Sequence, residues 1–542
     1  MFVQATTSRR GKKVYRSYLV RESFRTPKGP RSRTVCNITE LAEDVREVIA
    51  QALRGRTLVP AEEVTMSGAF DYGGLAVLVE GWDRYGLDAV LGQVGTLRQR
   101  ALLKAMALGR LLFPSSKLAL REQAEGTLLA RACGLKSGEV FDEDDLYAAM
   151  DALNGEWVGV EKALFARAFP GSVRLVLYDL TSVYFEGQGP FGIGRYGHSR
   201  DHRQDRPQVV QAVATDAEGV PIHIEVLRGN RTDNTTLQSL LRTLRRRFGI
   251  REATFVFDGG MSSRLNLEAM TRDALVFVTR LSSATLVALL EASGTHLQME
   301  LGDSPHVMEL EHDGKRYVIA GGVWRRQRDQ ERRAARLAKG EAVLTKLAGA
   351  RRKRPDAQKL ASQAGRALER VKAHKYFTYR VDAAGKLIWA RKAEVIEEES
   401  SMDGWYLLHT NATPQQASAE ETLHRYKGLL EVEDAFREVK SYLQVRPVFH
   451  YRPDRVRNHI RLCFLAYWLS ARLGKDWGLL KERGEVPRIL RRLQTIRVGI
   501  LTLRGATIRT SLTQIPKPLN TLLAKLGLLP LFAAPPAWAV LL

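Results

Sequence analysis

The stretch Val173-Arg174-Leu175-Val176-Leu177-Tyr178-Asp179-Leu180-Thr181 decides how the rest of the chain is read. A short apolar run over 173–178 that closes on an acid predicts a buried strand holding the Asp179 carboxylate rigidly at a sheet edge. The plainer alternative is a structural aspartate that caps the turn through Thr181. Outward from this block, residues 182–185, 207–215 and 220–227 read as further strands, the last two joined by a turn at Glu218-Gly219. Residues 235–248 read as a helix, 254–257 as a strand, 262–270 as a helix and 275–279 as a strand. Clustered strands followed by strand–helix alternation indicate a mixed α/β layer.

That order, three strands, helix, strand, helix, strand, is also the order of a ribonuclease-H-like core. A second acidic block repeats the first: Phe255-Val256-Phe257-Asp258-Gly259-Gly260-Met261. The glycines let the backbone turn sharply beside a ligand, and Ser262 or Ser263 can cap the helix that follows. An ordinary strand-to-helix turn would look similar. The third block runs from Tyr426 to Lys440 with Glu433 at its centre. Tyr426, Glu433 and Lys440 are spaced by seven residues, which places them on one stripe of a helix. An amphipathic surface helix accounts for Glu431, Asp434 and Arg437, but less well for an acid flanked by tyrosine and lysine.

Three carboxylates that a fold can gather suit a pair of divalent cations. Phosphodiester cleavage needs an activated oxygen nucleophile and help for the leaving 3′ oxygen, and two Mg²⁺ ions about 4 Å apart supply both. Hard oxygen ligands favour Mg²⁺, with Mn²⁺ as the substitute. Asp179 would bridge the ions, with Asp258 and Glu433 on either side. Spacing alone does not assign these roles; the inferred fold does.

The bulk composition agrees with a polyanionic partner. The 542 residues carry 83 Lys plus Arg against 60 Asp plus Glu, a net charge of +23, which suggests nucleic acid. Residues 325–375 hold 17 basic and 5 acidic side chains, so this stretch contributes +12. It is expected to meet the DNA backbone, giving affinity rather than base specificity; a solvated pair of helices is the alternative. Trp324 and Trp405, which bracket it, are candidates for base stacking, although core packing is the stronger expectation for both. The three cysteines form no close pair, so neither a disulfide framework nor a thiolate metal site is expected, and a reducing, cytoplasmic compartment fits. No secretory signal is visible. The apolar residues 526–542 are too few and too rich in proline to span a membrane and read as a buried or docking tail.

The chain divides into six expected regions. Residues 1–60 form a hairpin arm and helix, with strands over 14–24 and 31–38 around the turn Thr26-Pro27-Lys28-Gly29. Residues 40–155 look mainly helical. A break at Pro114-Ser115-Ser116-Lys117 separates two helices that pack ordinarily or bind DNA, so 61–165 is assigned as a helical, DNA-end-binding domain. Residues 166–280 are the first part of the core. Residues 281–414 are an insertion: short strands and turns over 280–325, polar helices over 326–373 broken around 351–355, then strands over 376–410. Residues 415–480 are core helices carrying Glu433, and 481–542 a C-terminal region.

The motifs together resemble bacterial insertion-sequence transposases of the DDE type, in the group with a long insertion before the glutamate. Asp179-Leu180-Thr181 is similar to the family's Asp-x-Thr motif. Residues 197–205, Gly-His-Ser-Arg-Asp-His-Arg-Gln-Asp, resemble its Gly-x-Ser-Lys-Asp-x-Arg-x-Asp segment. Asp258-Gly259-Gly260-Met261 resembles its second-aspartate region, and Tyr426, Glu433 and Lys440 fit its Tyr-x2-Arg-x3-Glu-x6-Lys signature. Leu429 stands where that signature has arginine; Lys427 and Arg437 are candidate substitutes. Residues 446–450 and 457–460 also look like the group.

The resemblance implies an α/β, ribonuclease-H-like core interrupted by a large strand-rich insertion, with a mostly helical N-terminal region. It implies hydrolysis at double-stranded inverted-repeat ends, then direct attack of the freed 3′ hydroxyl on target DNA, by a homo-oligomer on the bacterial nucleoid. A nuclease of related fold that cuts without joining, and a non-catalytic DNA-binding derivative, are the competing readings. Among other residues, Lys440 and Arg446 are the best phosphate-contact candidates, with Tyr426, Arg437, Arg200 and Arg203 beside them. Asp201 and Asp205 are expected to orient Arg200, Arg203 and Arg206. A metal cluster at His198 and His202 is a weaker alternative for that segment.

Overall fold

The fold is described from a computed structural model. It describes every residue except 12, 57, 126, 137–140, 202, 296, 298–305, 350–355, 480–484, 505 and 541–542. His202 and the expected break around 351–355 lie outside the described residues. Two compact units emerge: Met1–Asp71 with Ile496–Pro516 and Leu529–Leu542, and Tyr72–Thr495 with Lys517–Leu528.

Along the chain the first unit opens with β1 (Phe2–Arg10), β2 (Lys13–Thr26), β3 (Gly29–Asn37) and β4 (Val64–Asp71). The second holds β5 (Leu175–Tyr184), β6 (Gln208–Thr215), β7 (Pro221–Arg228), β8 (Thr254–Phe257), β9 (Val276–Arg280), β10 (His306–His312), β11 (Lys315–Gly321), β12 (Phe377–Val381), β13 (Leu387–Arg391) and β14 (Trp405–Thr410). The chain returns to the first unit with β15 (Arg497–Leu503) and β16 (Ala506–Leu512).

In the first unit the expected hairpin turns at residues 26–29, with Thr26 opposite Gly29, and gains β1 as a third strand. A second antiparallel sheet has the order β16-β15-β4. Residues 64–71, expected to be helical, are therefore a strand. Their partner β15 lies more than 400 residues away, so no local hairpin signal marks them. In the C-terminal tail Phe532 and Ala539 are buried. No described helix is long and apolar enough to cross a membrane, and all three cysteines are free.

The second unit is built on one eight-stranded sheet of order β10-β11-β14-β9-β8-β5-β6-β7. β6 runs antiparallel to β5, and β7 to β6, while β8 and β9 are parallel to β5. Numbered in chain order within the core, the strands thus stand 3-2-1-4-5, the ribonuclease-H-like arrangement expected from the sequence. The insertion does not stand apart from this core, because β14, β11 and β10 extend the same sheet beyond β9. Its other strands, β12 and β13, form a small hairpin sheet packed on the helices Val323–Ala348 and Ala357–Arg370 around buried Leu344, Leu368 and Phe377. Residues 283–293, expected as strands and turns, form a helix capped by Ser282, whose side chain accepts from Thr285 N.

Alternation sorts β5 onto two faces. Val176, Tyr178 and Leu180 enter a core with Phe255, Phe257, Leu240, Leu244 and Met270, covered by the helices Leu237–Phe248 and Arg264–Arg272. Each fully buried leucine or phenylalanine there contributes about 1.5–3 kcal/mol. Leu177 and Asp179 take the other face. A Cβ at Gly428 would stand 3.4 Å from the Leu177 methyl groups, so the segment leading to Glu433 packs on the face that carries Asp179. Behind it the long helix Pro453–Asp476 is buried on most sides.

Candidate active site

Asp179 lies within β5 rather than at its end. The strand continues to Tyr184, and the two runs read separately from the sequence are one. What stops is its neighbour: β8 ends at Phe257, which is paired with Tyr178. The next register position on the two parallel strands holds Asp179 and Asp258. One strand further, Phe257 pairs with Thr279, so the same step brings Arg280 level with Asp258. Neighbouring strands lie about 4.8 Å apart, and residues in register on parallel strands project to the same face. The sheet therefore presents Asp179, Asp258 and Arg280 in a row. Gly259 is required here, since a Cβ would come within 2.5 Å of the Arg280 carbonyl oxygen. Ser263 caps the following helix, accepting from Asn266 N at 3.4 Å, as its position suggested.

Glu433 comes from a broken helix. Residues Ala419–Lys427 form its first part, capped by Ser418. Gly428 separates this from Leu429–Arg437, and Glu438–Tyr442 winds as a π-helix. Val432, Ala435 and Phe436 are buried against the core while Glu433 is exposed. Its charge still reaches β5: burial, then the like charges of Asp258 and Glu433, push the Asp179 carboxyl up to about 7. The Leu180 amide, donating to Asp179 Oδ1 at 2.7 Å, and the Arg200 guanidinium oppose that rise.

Tyr426, Glu433 and Lys440 meet different partners. Tyr426 turns toward Asp258, whose charge, after burial, raises its phenol pKa; Arg280 and Arg325 oppose this. Its ring lies 6.2 Å from Tyr406, over which the Arg325 guanidinium sits at 4.8 Å. Lys440, on the π-turn, bonds Asp201 Oδ1 at 2.7 Å. Arg446 reaches the same oxygen at 2.6 Å. Asp201 therefore holds Lys440 and Arg446 rather than the arginines expected. Arg200 goes instead to both oxygens of Asp233, at 2.7 and 2.8 Å. Asp205 does hold Arg203, at 2.9 Å through each oxygen, and Arg206 at 3.4 Å. Arg437, exposed, pairs with Asp434. Leu429 is partly exposed. The neighbouring Arg425 ties its helix to Thr254 Oγ1 at 3.0 Å and to Gln416 O at 3.1 Å.

Sequence reasoning missed Arg280, Arg325 and Asp233. Arg280 carries the signal that found Asp258, a charge closing a short apolar strand, and was legible by the same rule. Arg325 was counted only as part of a basic stretch, and Asp233 lies in a loop without a local signature. The tryptophans divide: Trp405 is buried among Leu286, Ile319 and Leu407, whereas Trp324, expected in a core, is 72% exposed with Arg328 stacked 5.3 Å over its ring.

The donor chemistry at this face suits a divalent cation. Asp179 and Asp258 share one register position, and burial, followed by the like charges of Asp258 and Glu433, raises the Asp179 pKa, a shift that a bound cation would oppose. The set is not closed around a single ion, because among the described residues no three His, Cys, Asp or Glu side chains gather closely enough to hold one. Asp179 and Asp258 are the placed pair.

Comparison with known proteins identifies the family. The profile of the transposase DDE domain matches residues 171–469, which takes in all three acids, and the chain belongs to that family. Residues 3–62 match the N-terminal domain of IS1634 family transposases, which places the likeness among insertion-sequence enzymes. The protein is accordingly a DNA transposase of the DDE type, and the family depends on divalent metal. No curated protein matches the sequence. Among solved structures, the cryo-EM structure of the piggyBac transposase synaptic complex with hairpin DNA aligns with a TM-score of 0.37 and 9% identity, over 78% of each chain.

Proposed function

We propose that Asp179, Asp258 and Glu433 are the metal ligands of one centre that first hydrolyses the phosphodiester at an element end and then joins the freed 3′ hydroxyl to target DNA. The observation that carries this reading is the shared register of Asp179 and Asp258 on adjacent parallel strands, faced by the helix of Glu433. Two Mg²⁺ ions held by these carboxylates, with Mn²⁺ as substitute, would supply nucleophile activation and stabilisation of the leaving oxygen. The protein's own groups do the positioning. Arg280, level with Asp258, offers its guanidinium to a phosphate beside the acids. Tyr426, kept neutral by burial beside Asp258, donates a hydrogen bond there without adding negative charge. Lys440 and Arg446, fixed by Asp201, add positive potential at the far end of the face, and Arg200, Arg203 and Arg437 contribute further phosphate contacts. Residues 1–165 recognise the ends, and the basic 325–375 stretch follows the backbone.

Two ends must be held together for joining, so the working form is a homo-oligomer with paired inverted-repeat ends, acting in the cytoplasm on the nucleoid. The test uses full-length protein, Mg²⁺ and pre-cut duplexes bearing the inverted repeats that flank its gene, with a supercoiled target plasmid. Covalent joining of duplex to plasmid is the expected product. Hydrolysis without joining would defeat the transfer half of the reading and leave a nuclease.

A further inference from the structure

Beyond Tyr184, at the end of β5, four large aromatic rings stand in solvent: Phe191 is 90% exposed, Tyr451 69%, and Tyr196 and Phe449 65% each. They lie on two segments that the backbone ties together. Val448 N donates to Tyr184 O and Glu186 N to Val448 O, both at 3.1 Å, making a parallel bridge between Phe185 and Val448. Outside that bridge, Val448 and His450 turn inward while Phe449 and Tyr451 turn outward; His450 meets Lys117 Nζ at 3.4 Å. A Cβ at Gly187 would stand 3.5 Å from the Tyr451 hydroxyl, so that side chain lies over the 185–197 loop. The loop itself is pinned to β6, with Arg195 and Gln208 exchanging backbone hydrogen bonds at 3.0 and 2.9 Å. The rings are thus mounted on a fixed base.

Their surroundings are cationic. The Arg195 guanidinium lies 5.7 Å over the Phe191 ring. Tyr184 beneath the bridge carries Arg203 at 5.0 Å and Arg446 at 5.9 Å. Aromatic and arginine side chains also gather in protein interfaces, so the DNA-cleaving reading of this unit decides the occupant. Here rings and guanidinium groups interleave, the composition that stacks unpaired bases while holding the phosphates between them.

We propose that this platform, Phe191 and Tyr196 on one segment and Phe449 and Tyr451 on the other, binds unpaired nucleobases of a DNA strand leaving the active site. The inference rests on the DNA-cleaving reading of the same unit and extends it, since a strand running past Asp179 along β5 would meet the rings after it loses its partner.

The probes are a blunt duplex and the same duplex with a six-nucleotide unpaired extension containing 2-aminopurine. Stacking contributes about 1–3 kcal/mol per base, so wild-type full-length protein should prefer the extended duplex by tenfold or more, with quenched 2-aminopurine fluorescence. The double substitution F191A/Y451A should abolish the preference and the quenching while leaving blunt-duplex affinity within about twofold. F191Y/Y451F, which keeps both rings, should retain them. A preference that survives F191A/Y451A, or no preference in the wild type, overturns the platform while leaving duplex binding in place. If neither duplex binds the wild type, the DNA reading and the platform fall together. A change from dimer to monomer in F191A/Y451A, with base preference intact, would make the patch an interface between copies and also overturn the proposal.

Discussion

The strand-borne acids and the helix-borne acid are held by different means. Asp179 and Asp258 share the register position one step beyond the last β5–β8 pair, Tyr178 and Phe257, so the backbone pairing of β5 on both sides sets their separation. Glu433 rides a helix interrupted at Gly428 and rewound at Glu438–Tyr442, and its placement depends on Val432, Ala435 and Phe436 packing into the core. A ladder slips only by whole residues, and a slip would turn every side chain of β5 to the wrong face. A broken helix can shift by fractions of a turn, and π-turns of this kind recur at functional sites. One side of the site is therefore set by backbone pairing and the other by side-chain packing.

The hardest test falls on the strand side. D179N should reduce DNA cleavage on the order of 10³-fold or more, since losing metal stabilisation of several kcal/mol costs a factor of ten per 1.36 kcal/mol. Its fold should survive, because the substitution removes a charge that burial already disfavours. Mg²⁺ should raise the melting temperature of the wild type and not of D179N. Wild-type cleavage rates in D179N would break the assignment of the bridging ligand.

On the helix side, D201N strands two cations. Lys440 and Asp201 are 9% and 4% exposed at their side chains, and breaking such a buried pair costs about 3 kcal/mol, the lower end of the usual range because Arg446 is partly solvated. Urea unfolding should show that loss. Unchanged stability would mean the Asp201 cluster does not anchor the π-turn.

Glu438 gives the helix a pH dependence of the same sign as the one Asp179 gives the ladder. Burial pushes its carboxyl up to about 7, and the hydrogen bond to Ser470 opposes the rise. A carboxyl with a raised folded pKa binds its proton more tightly in the folded state, so stability falls as pH rises from about 4.5 through 7. E438Q keeps a Ser470 partner and cannot ionise. It should melt a few degrees above the wild type at pH 8 and level with it near pH 4.5. An equal gap at both values would remove ionisation as the cause.

Much of this was legible in the sequence because the decisive signals are local. Apolar runs closed by acids gave the two strands, and the Gly259 turn and Ser263 cap follow from residue type at one position. What escaped depended on distant partners. The strand Val64–Asp71 pairs across the length of the chain, β10, β11 and β14 join a sheet begun more than 100 residues earlier, and Asp201 chooses Lys440 and Arg446 from 239 and 245 positions away. The helix carrying Tyr426, Glu433 and Lys440 read as continuous, and the structure breaks it. Gly428 hinted at one break, whereas the π-turn arises from packing and has no local code.

The smallest effect concerns Leu429, where the signature that the sequence resembles has arginine. The position is partly exposed, one residue past the Gly428 break. L429R places a cation there without displacing a buried side chain, so thermal stability should hold. DNA affinity should rise about fivefold, the worth of one exposed charge contact of about 1 kcal/mol, and the salt dependence of binding should steepen by about one ion. Arg425 does not already fill this role, since Thr254, Gln416 and Glu421 occupy its guanidinium. If L429R leaves both affinity and salt slope unchanged, the helix holds this position away from the phosphates, and its path over β5 differs from the one the signature implies.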